Sequence, residues 1–291
     1  MSFTSALNSK DFVVTAQLSL ADLANKAALE RGAKVLASAV DAVQLPDSTE
    51  AHISGIAAAA ILLQHGVDPV VHLNCRDRNR IALHKDILGA IALGAKSALI
   101  MRGKAIPDSK KQGVRSVFDI PALDFMAQLQ KLKQDEDAPL NTDFFVGATG
   151  EVFDPSPDWT PRNLIKKCEA GANFVQTQVC FDLEVARNYM QKIVAARLTH
   201  KTRFMLALSP LPSATVARWV QDNVYGALLP DEIVVRLEQS KNPAQEGIDV
   251  CAELMREMAE IPGVAGVNLL NLGELDAIPT AIAAAGLASQ D

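Results

Sequence analysis

Short apolar runs of four to seven residues alternate along the whole chain with longer stretches whose apolar residues recur at helical spacing. The short runs, at 12–18, 42–45, 69–73, 97–101, 144–148, 173–178, 204–208 and 264–270, read as buried strands. Amphipathic stretches that follow them, among them 50–65, 79–93, 121–133, 183–196 and 244–261, predict helices. Gly66, Gly94, Gly171 and Gly263 fall between a helix and the next strand, where a left-handed glycine commonly ends a helix. Eight strand-helix units in 291 residues predict an α/β fold of the (βα)8 TIM-barrel kind, as one domain over 1–291. A doubly wound sheet alternates in the same way. No Gly-x-Gly-x-x-Gly follows the first strand, which speaks against a Rossmann domain.

Two connections are long. Residues 102–119 follow the fourth strand and are polar and rich in Lys and Gly, with Lys110, Lys111 and Arg115 forming a basic cluster. Residues 209–242 follow the seventh and carry two further helical patterns, 214–223 and 231–238. Loops of this length usually bear function or act as lids. The charged stretch 131–137 reads more simply as a solvated helix end.

Composition changes this picture little. A net charge of −6 argues against a nucleic-acid surface, leaving room for a local basic pocket. Cys75, Cys168, Cys180 and Cys251 stand far apart, so neither a zinc site nor a disulfide framework is expected. Residues 1–10 lack the apolar core of a signal peptide, and the apolar stretch 53–63 is too short to span a bilayer. A cytoplasmic protein without a membrane partner is the expectation.

The chemistry concentrates where strands end. The run His72-Leu73-Asn74-Cys75-Arg76-Asp77-Arg78-Asn79-Arg80 carries an apolar strand into polar residues and then a helix, the place where barrel enzymes hold their active groups. Gln178 is polar at the end of an otherwise apolar strand, which suits a ligand-facing role. Each residue also has a plainer reading. His72 could be a satisfied core histidine, against which its place near the strand end and the motif speak. Arg76, Asp77, Arg78 and Arg80 are equally at home as an ordinary charged helix start. Cys75 reads as a small buried apolar residue. Lys104, Lys166 and Lys167 read as solvated surface.

The His72–Arg80 run resembles the signature of the methylenetetrahydrofolate reductases, whose usual form begins His-Leu-Thr-Cys. The similarity extends from Val13 to Leu287 and is strongest at 72–86, 102–103, 170–178 and 264–271. It implies a barrel enzyme that interconverts 5,10-methylene- and 5-methyltetrahydrofolate with FAD, and with NADH or NADPH as electron partner. It further implies that His72, Arg102, Gly103, Lys104 and Thr149 lie about the flavin ring, and that Asn163, Lys166 and Lys167 hold its ribose and phosphates. A lysine beside a helix N-terminus suits an anion on physical grounds too. Gln178 and Asn271 would contact the folate. His72, Arg102, Ala148 and Gln178 are expected to converge at the C-terminal mouth, and a homo-oligomer is expected.

The departures from the family lie on the chemistry. Gln17 stands where the family has a Glu that protonates folate and opens its five-membered ring; an amide cannot do general-acid work. Lys104 replaces an Asp near the flavin pyrimidine, Pro46 a Thr beside the flavin, and Leu272 a folate-contacting Arg. An ammonium at 104 would favour the anionic reduced flavin and so the oxidation of methyl-tetrahydrofolate. Gln17 and Lys104 are therefore the residues on which catalysis turns, with Asp47, Glu50 or His52 standing in as proton carrier. Two other readings stay open: a flavin-less folate methyltransferase or C1-carrier on the same barrel, and a scaffold with a relic site.

Overall fold

In the computed structural model, eight parallel strands close on themselves in sequence order: β1 (Val13–Gln17), β2 (Ala42–Leu45), β3 (Pro69–Asn74), β4 (Ser97–Met101), β5 (Phe145–Gly150), β6 (Phe174–Val179), β7 (Arg203–Leu208) and β8 (Val264–Leu270). The structure describes residues 2–20, 25–48, 53–106, 113–134 and 143–287. Glu50, His52, Lys110, Lys111 and the end of the charged stretch 131–137 lie outside these. Every expected strand is present, shifted by no more than two residues at an end.

The helices pack outside the barrel: α2 (Lys26–Leu36), α3 (Gly55–Gln64), α4 (Arg80–Leu93), α5 (Ala122–Gln134), α6 (Arg162–Glu169), α7 (Leu183–Ala195), α8 (Ala214–Asn223), α9 (Asp231–Gln239), α10 (Pro243–Ala259) and α11 (Ala277–Ala285). Polar side chains cap several of them, Asn25, Asn79, Asp182, Ser213 and Asn242 starting α2, α4, α7, α8 and α10. Asn79 accepts from Ala82 N at 2.9 Å, which places it outside α4 as its cap. Gly94 ends the same helix at φ 102°, so the expected left-handed stop is used.

One element has no counterpart in the apolar pattern. Helix α1 (Phe3–Ser9) closes the N-terminal end of the barrel, burying Phe3, Ala6 and Leu7 against Val13, Ala42, Val70 and Phe174. Phe3 N donates to Asp68 Oδ2 at 2.6 Å, tying the plug to the residue just before β3. Its ring meets Phe174 edge to face at 5.1 Å, inside the barrel. Gly147 makes room for that ring, since a Cβ there would lie 2.2 Å from Phe174 Cζ.

Above this apolar floor the interior turns polar. Thr15 Oγ1 donates to Asn268 Oδ1 at 2.9 Å and accepts from Gln44 Nε2 at 3.3 Å. The same Gln44 amide donates to Gln176 Oε1, and Gln44 Oε1 pairs with His72 Nε2 at 2.6 Å. All five side chains are buried. In a closed barrel such groups have no water to turn to, so each must find a partner among its neighbours. Burial lowers the His72 pKa from 6.5 to about 3 and keeps the ring neutral.

Two outcomes are expected. Phe174→Ala should destabilise the barrel by about 3–5 kcal/mol, read by urea denaturation. His72 has a folded pKa below its unfolded one, so between pH 6.5 and about 3 only the unfolded chain takes up the proton. Stability therefore falls with pH across that window. Urea titrations at pH 7.5 and pH 5 should show the wild type losing about 2 kcal/mol more than His72→Gln.

Candidate functional site

At the C-terminal ends of the strands the interior opens into a cavity of about 190 Å3 lined by Gln17, Asp47, His72, Thr149, Gln176 and Gln178. Inward positions alternate along each strand, so Gln17, Thr149 and Gln178 come from β1, β5 and β6 to face one space. A bulge assists in β6. Gln176 pairs with Met205 and Val179 with Ala207, three residues against two, and the Thr177 hydroxyl takes the spare Ala207 N–H at 3.3 Å.

The mouth runs into a wider groove of about 600 Å3 bordered by Arg102, Lys104, Glu151, Lys167, Gln178 and Tyr225. Beside it, between β4, β5 and α5, lies an apolar cavity of about 430 Å3 walled by Ile100, Phe118, Ile120 and Met126, with Arg102 and Lys167 also in its lining. A third cavity, of about 390 Å3, leads from Lys167 and Glu151 past Asn163 to Trp159 and Tyr189. Lys167 borders all three. Its Nζ donates to Thr149 O at 2.6 Å and makes no ion pair among the described residues. Burial pushes its pKa down, against the opposing pull of the nearby Glu151 carboxylate.

Electrostatic ties fix the near rim. The buried Arg76 reaches Ser48 O at 2.9 Å and Lys104 O at 3.4 Å while pairing with Asp77 at 2.6 Å, so it joins the loops after β2, β3 and β4. Gly103, at φ 76°, lets the β4 loop cross this strut, because a Cβ would lie 2.8 Å from Arg76 Cβ. Asp47 accepts from Asn74 N and Nδ2 and from Arg78 at 3.1, 2.6 and 2.6 Å. The far rim comes from the α8–α9 connection, where Leu228 N bonds Val179 O at 2.9 Å and extends β6 outward. Tyr225 stands on that connection, 59% exposed, with Lys104 Nζ 4.0 Å from its ring centroid.

The expected residues are thus divided among several places. Gln17, Thr149 and Gln178 share the mouth cavity. His72 lies at its floor, one inward position below the end of β3, because the strand runs on to Asn74. Ala148 faces the opposite way, into the apolar cavity, and Arg102 stacks over Phe118 at 4.9 Å. Asn163 and Lys167 border the outer cavities, whereas Lys166 on the same helix is exposed away from them. Asn271 turns back to accept from Gly273 N at 3.4 Å, outside the grooves described. Leu272 packs against the core, and Cys75 is fully buried with its thiol pKa pushed up to about 11 by burial. The sequence reading missed Gln44, Gln176, Glu151 and Tyr225. Polar residues at every second position of β6, with Gln44 in phase on β2, were the available signal for the first two.

Comparison with known proteins bears on this arrangement at three levels. Over 138 residues the chain is 28% identical to a protein of Caenorhabditis elegans named probable methylenetetrahydrofolate reductase (NADPH). That match takes in 46% of this chain and 19% of the longer relative. A solved structure from Clostridium thermocellum, an uncharacterized protein whose description says it binds two copies of 5-methyl-5,6,7,8-tetrahydrofolic acid, superposes with a TM-score of 0.67 over 98% of both chains. At 12% identity it testifies to the fold alone. The family model described as methylenetetrahydrofolate reductase spans residues 20–286, nearly all of the barrel and its rim, and the chain belongs to that family.

Proposed function

We propose that this protein binds a C1-substituted tetrahydrofolate at the barrel mouth and, with FAD, interconverts its methylene and methyl forms. The observation that carries the reading is the junction at Lys167. A mouth lined by the carboxamides of Gln17 and Gln178 adjoins a groove bordered by Arg102, Lys104 and the half-buried Lys167 ammonium, which feels the Glu151 carboxylate without forming a contact ion pair among the described residues. The residues fit a flavin dinucleotide. Lys167 and Asn163 would hold its diphosphate end, with Lys166 as an outer charge, and Arg102, Gly103, Thr149 and His72 its ring end. Bound there, FAD supplies hydride exchange with the C1 carbon, and NADH or NADPH supplies electrons in the reducing direction.

Gln17 and Gln178 hold the pterin by hydrogen bonds from two sides of the mouth. Ring opening needs a proton, which Gln17 cannot give. Of the carboxylates lining the described cavities, Asp47 is held by Arg78 and Asn74, while Glu151 makes no hydrogen bond or ion pair among the described residues. Glu151 borders the same groove as Gln178 and serves as proton carrier. Lys104 closes the groove on Tyr225, a contact that a stacked ligand must part.

A second reading, a flavin-less folate methyltransferase or C1-carrier, is favoured by the Lys104–Tyr225 bridge across the groove and by the amide at Gln17. The visible spectrum of the purified protein decides between them. A flavin band, or its appearance on adding FAD, supports the first; a protein that stays colourless yet binds 5-methyltetrahydrofolate supports the second.

Lys167→Ala should weaken FAD binding by about 1–3 kcal/mol, measured by flavin fluorescence. Stopped-flow reoxidation of reduced enzyme by methylenetetrahydrofolate tests the proton path. Glu151→Gln should slow it by about 10²–10⁴-fold, and Gln17→Glu should raise it above wild type. A fast Glu151→Gln enzyme would remove Glu151 from the path.

A further inference from the structure

The polar group at the floor of the mouth cavity does more than satisfy the barrel interior. Gln44 bonds His72 through its Oε1 and Gln176 through its Nε2, so the two ends of one carboxamide set those side chains next to each other. Since Gln44 Nε2 donates to Gln176 Oε1 and Thr15 Oγ1, its Oε1 is left to accept, and His72 must carry its hydrogen on Nε2. The neutral ring then has its lone pair on Nδ1. Gln176 keeps its Nε2 hydrogens. Neither His72 Nδ1 nor Gln176 Nε2 bonds to protein among the described residues. Nor is either sealed in, for among the described residues the buried side-chain atoms without a partner are Ser97 Oγ and Asn268 Nδ2. Both residues line the cavity while only 5% and 7% exposed. Each unmet atom therefore faces that space.

An acceptor beside a donor, both nearly desolvated, is a template for an edge that offers a donor beside an acceptor. We propose that the His72–Gln176 pair, held by Gln44, reads the lactam edge of a planar heterocycle, an N–H giving to His72 Nδ1 and the adjacent C=O accepting from Gln176 Nε2. The inference rests on the reading that a heterocyclic ligand occupies the mouth, and it makes these residues determinants of which one. Both pterins and flavins carry such an edge. A ring whose carbonyl is replaced by an amine sets lone pair against lone pair at His72 and N–H against N–H at Gln176. Mismatches in so dry a site are costly, because neither partner can turn to water.

Calorimetric titration of the full chain with pterin, 2,4-diaminopteridine and riboflavin tests this without any substitution. Pterin should bind at least about tenfold more tightly than its diamino analogue. Riboflavin binding more tightly than pterin assigns the edge to flavin, and the reverse order to folate; either order is consistent with the lactam reading. Gln176→Glu, which turns the donor into an acceptor, should level or reverse the preference between the two pteridines. Gln44→Met, which removes the brace and leaves both readers in place, should narrow it. Equal binding of the two pteridines by the wild type overturns this inference alone. Failure of all three compounds to bind overturns it together with the folate reading.

Discussion

Closure of the barrel is the constraint from which the site follows. Eight strands joined edge to edge leave an interior that water enters only from the mouth, so every inward polar atom below the rim depends on another side chain. Thr15, Gln44, His72, Gln176 and Asn268 meet that demand in part, leaving Asn268 Nδ2 without a partner and His72 Nδ1 and Gln176 Nε2 to the cavity, and the Phe3–Phe174 floor lies at the other end. Because the donors and acceptors are linked in one chain, the direction of each bond sets the next. The orientation of a carboxamide on β2 thereby determines what a histidine on β3 and a glutamine on β6 present to the cavity.

The rim obeys a different logic. Apart from the buried Arg76, its charged groups are partly hydrated, and ion pairs of that kind stabilise little on their own. Their value here lies in geometry. Arg78 holds Asp47 against Asn74. Lys167 is held differently, drawn towards the barrel by the Thr149 carbonyl with the Glu151 carboxylate near enough to act on it but not in contact. Arg102 and Lys104, on the same groove, lie against the rings of Phe118 and Tyr225.

Much of this was legible in the sequence, for identifiable reasons. Apolar runs located all eight strands, four of them preceded by a glycine, because barrel strands are covered on both faces and read as continuous apolar segments. The same continuity hid the inner face. Gln44 and Gln176 are single polar residues in apolar surroundings, and only the closed sheet reveals that they point at each other. Helix α1 escaped notice since its seven residues are too few to display a period, and its burial depends on a barrel end made by distant strands. The motif around His72 indicated the right end of the barrel, but its register placed the ring at the strand terminus, whereas Asn74 takes that place. Tyr225 was unreadable because nothing local marks it. Its position follows from Leu228 adding to β6.

Arg76 has a consequence for the groove it borders. By bonding the carbonyls of Ser48 and Lys104 while anchored to Asp77, it ties together the residues that leave three successive strands. The arginine at their centre is almost wholly enclosed. That bank is stiffened at Ser48, Asp77 and Lys104, whereas the opposite bank, which carries Tyr225, is tethered through the Leu228 backbone pairing with β6. The two sides of the groove therefore differ in kind, one braced by a charged side chain and the other by main-chain hydrogen bonds.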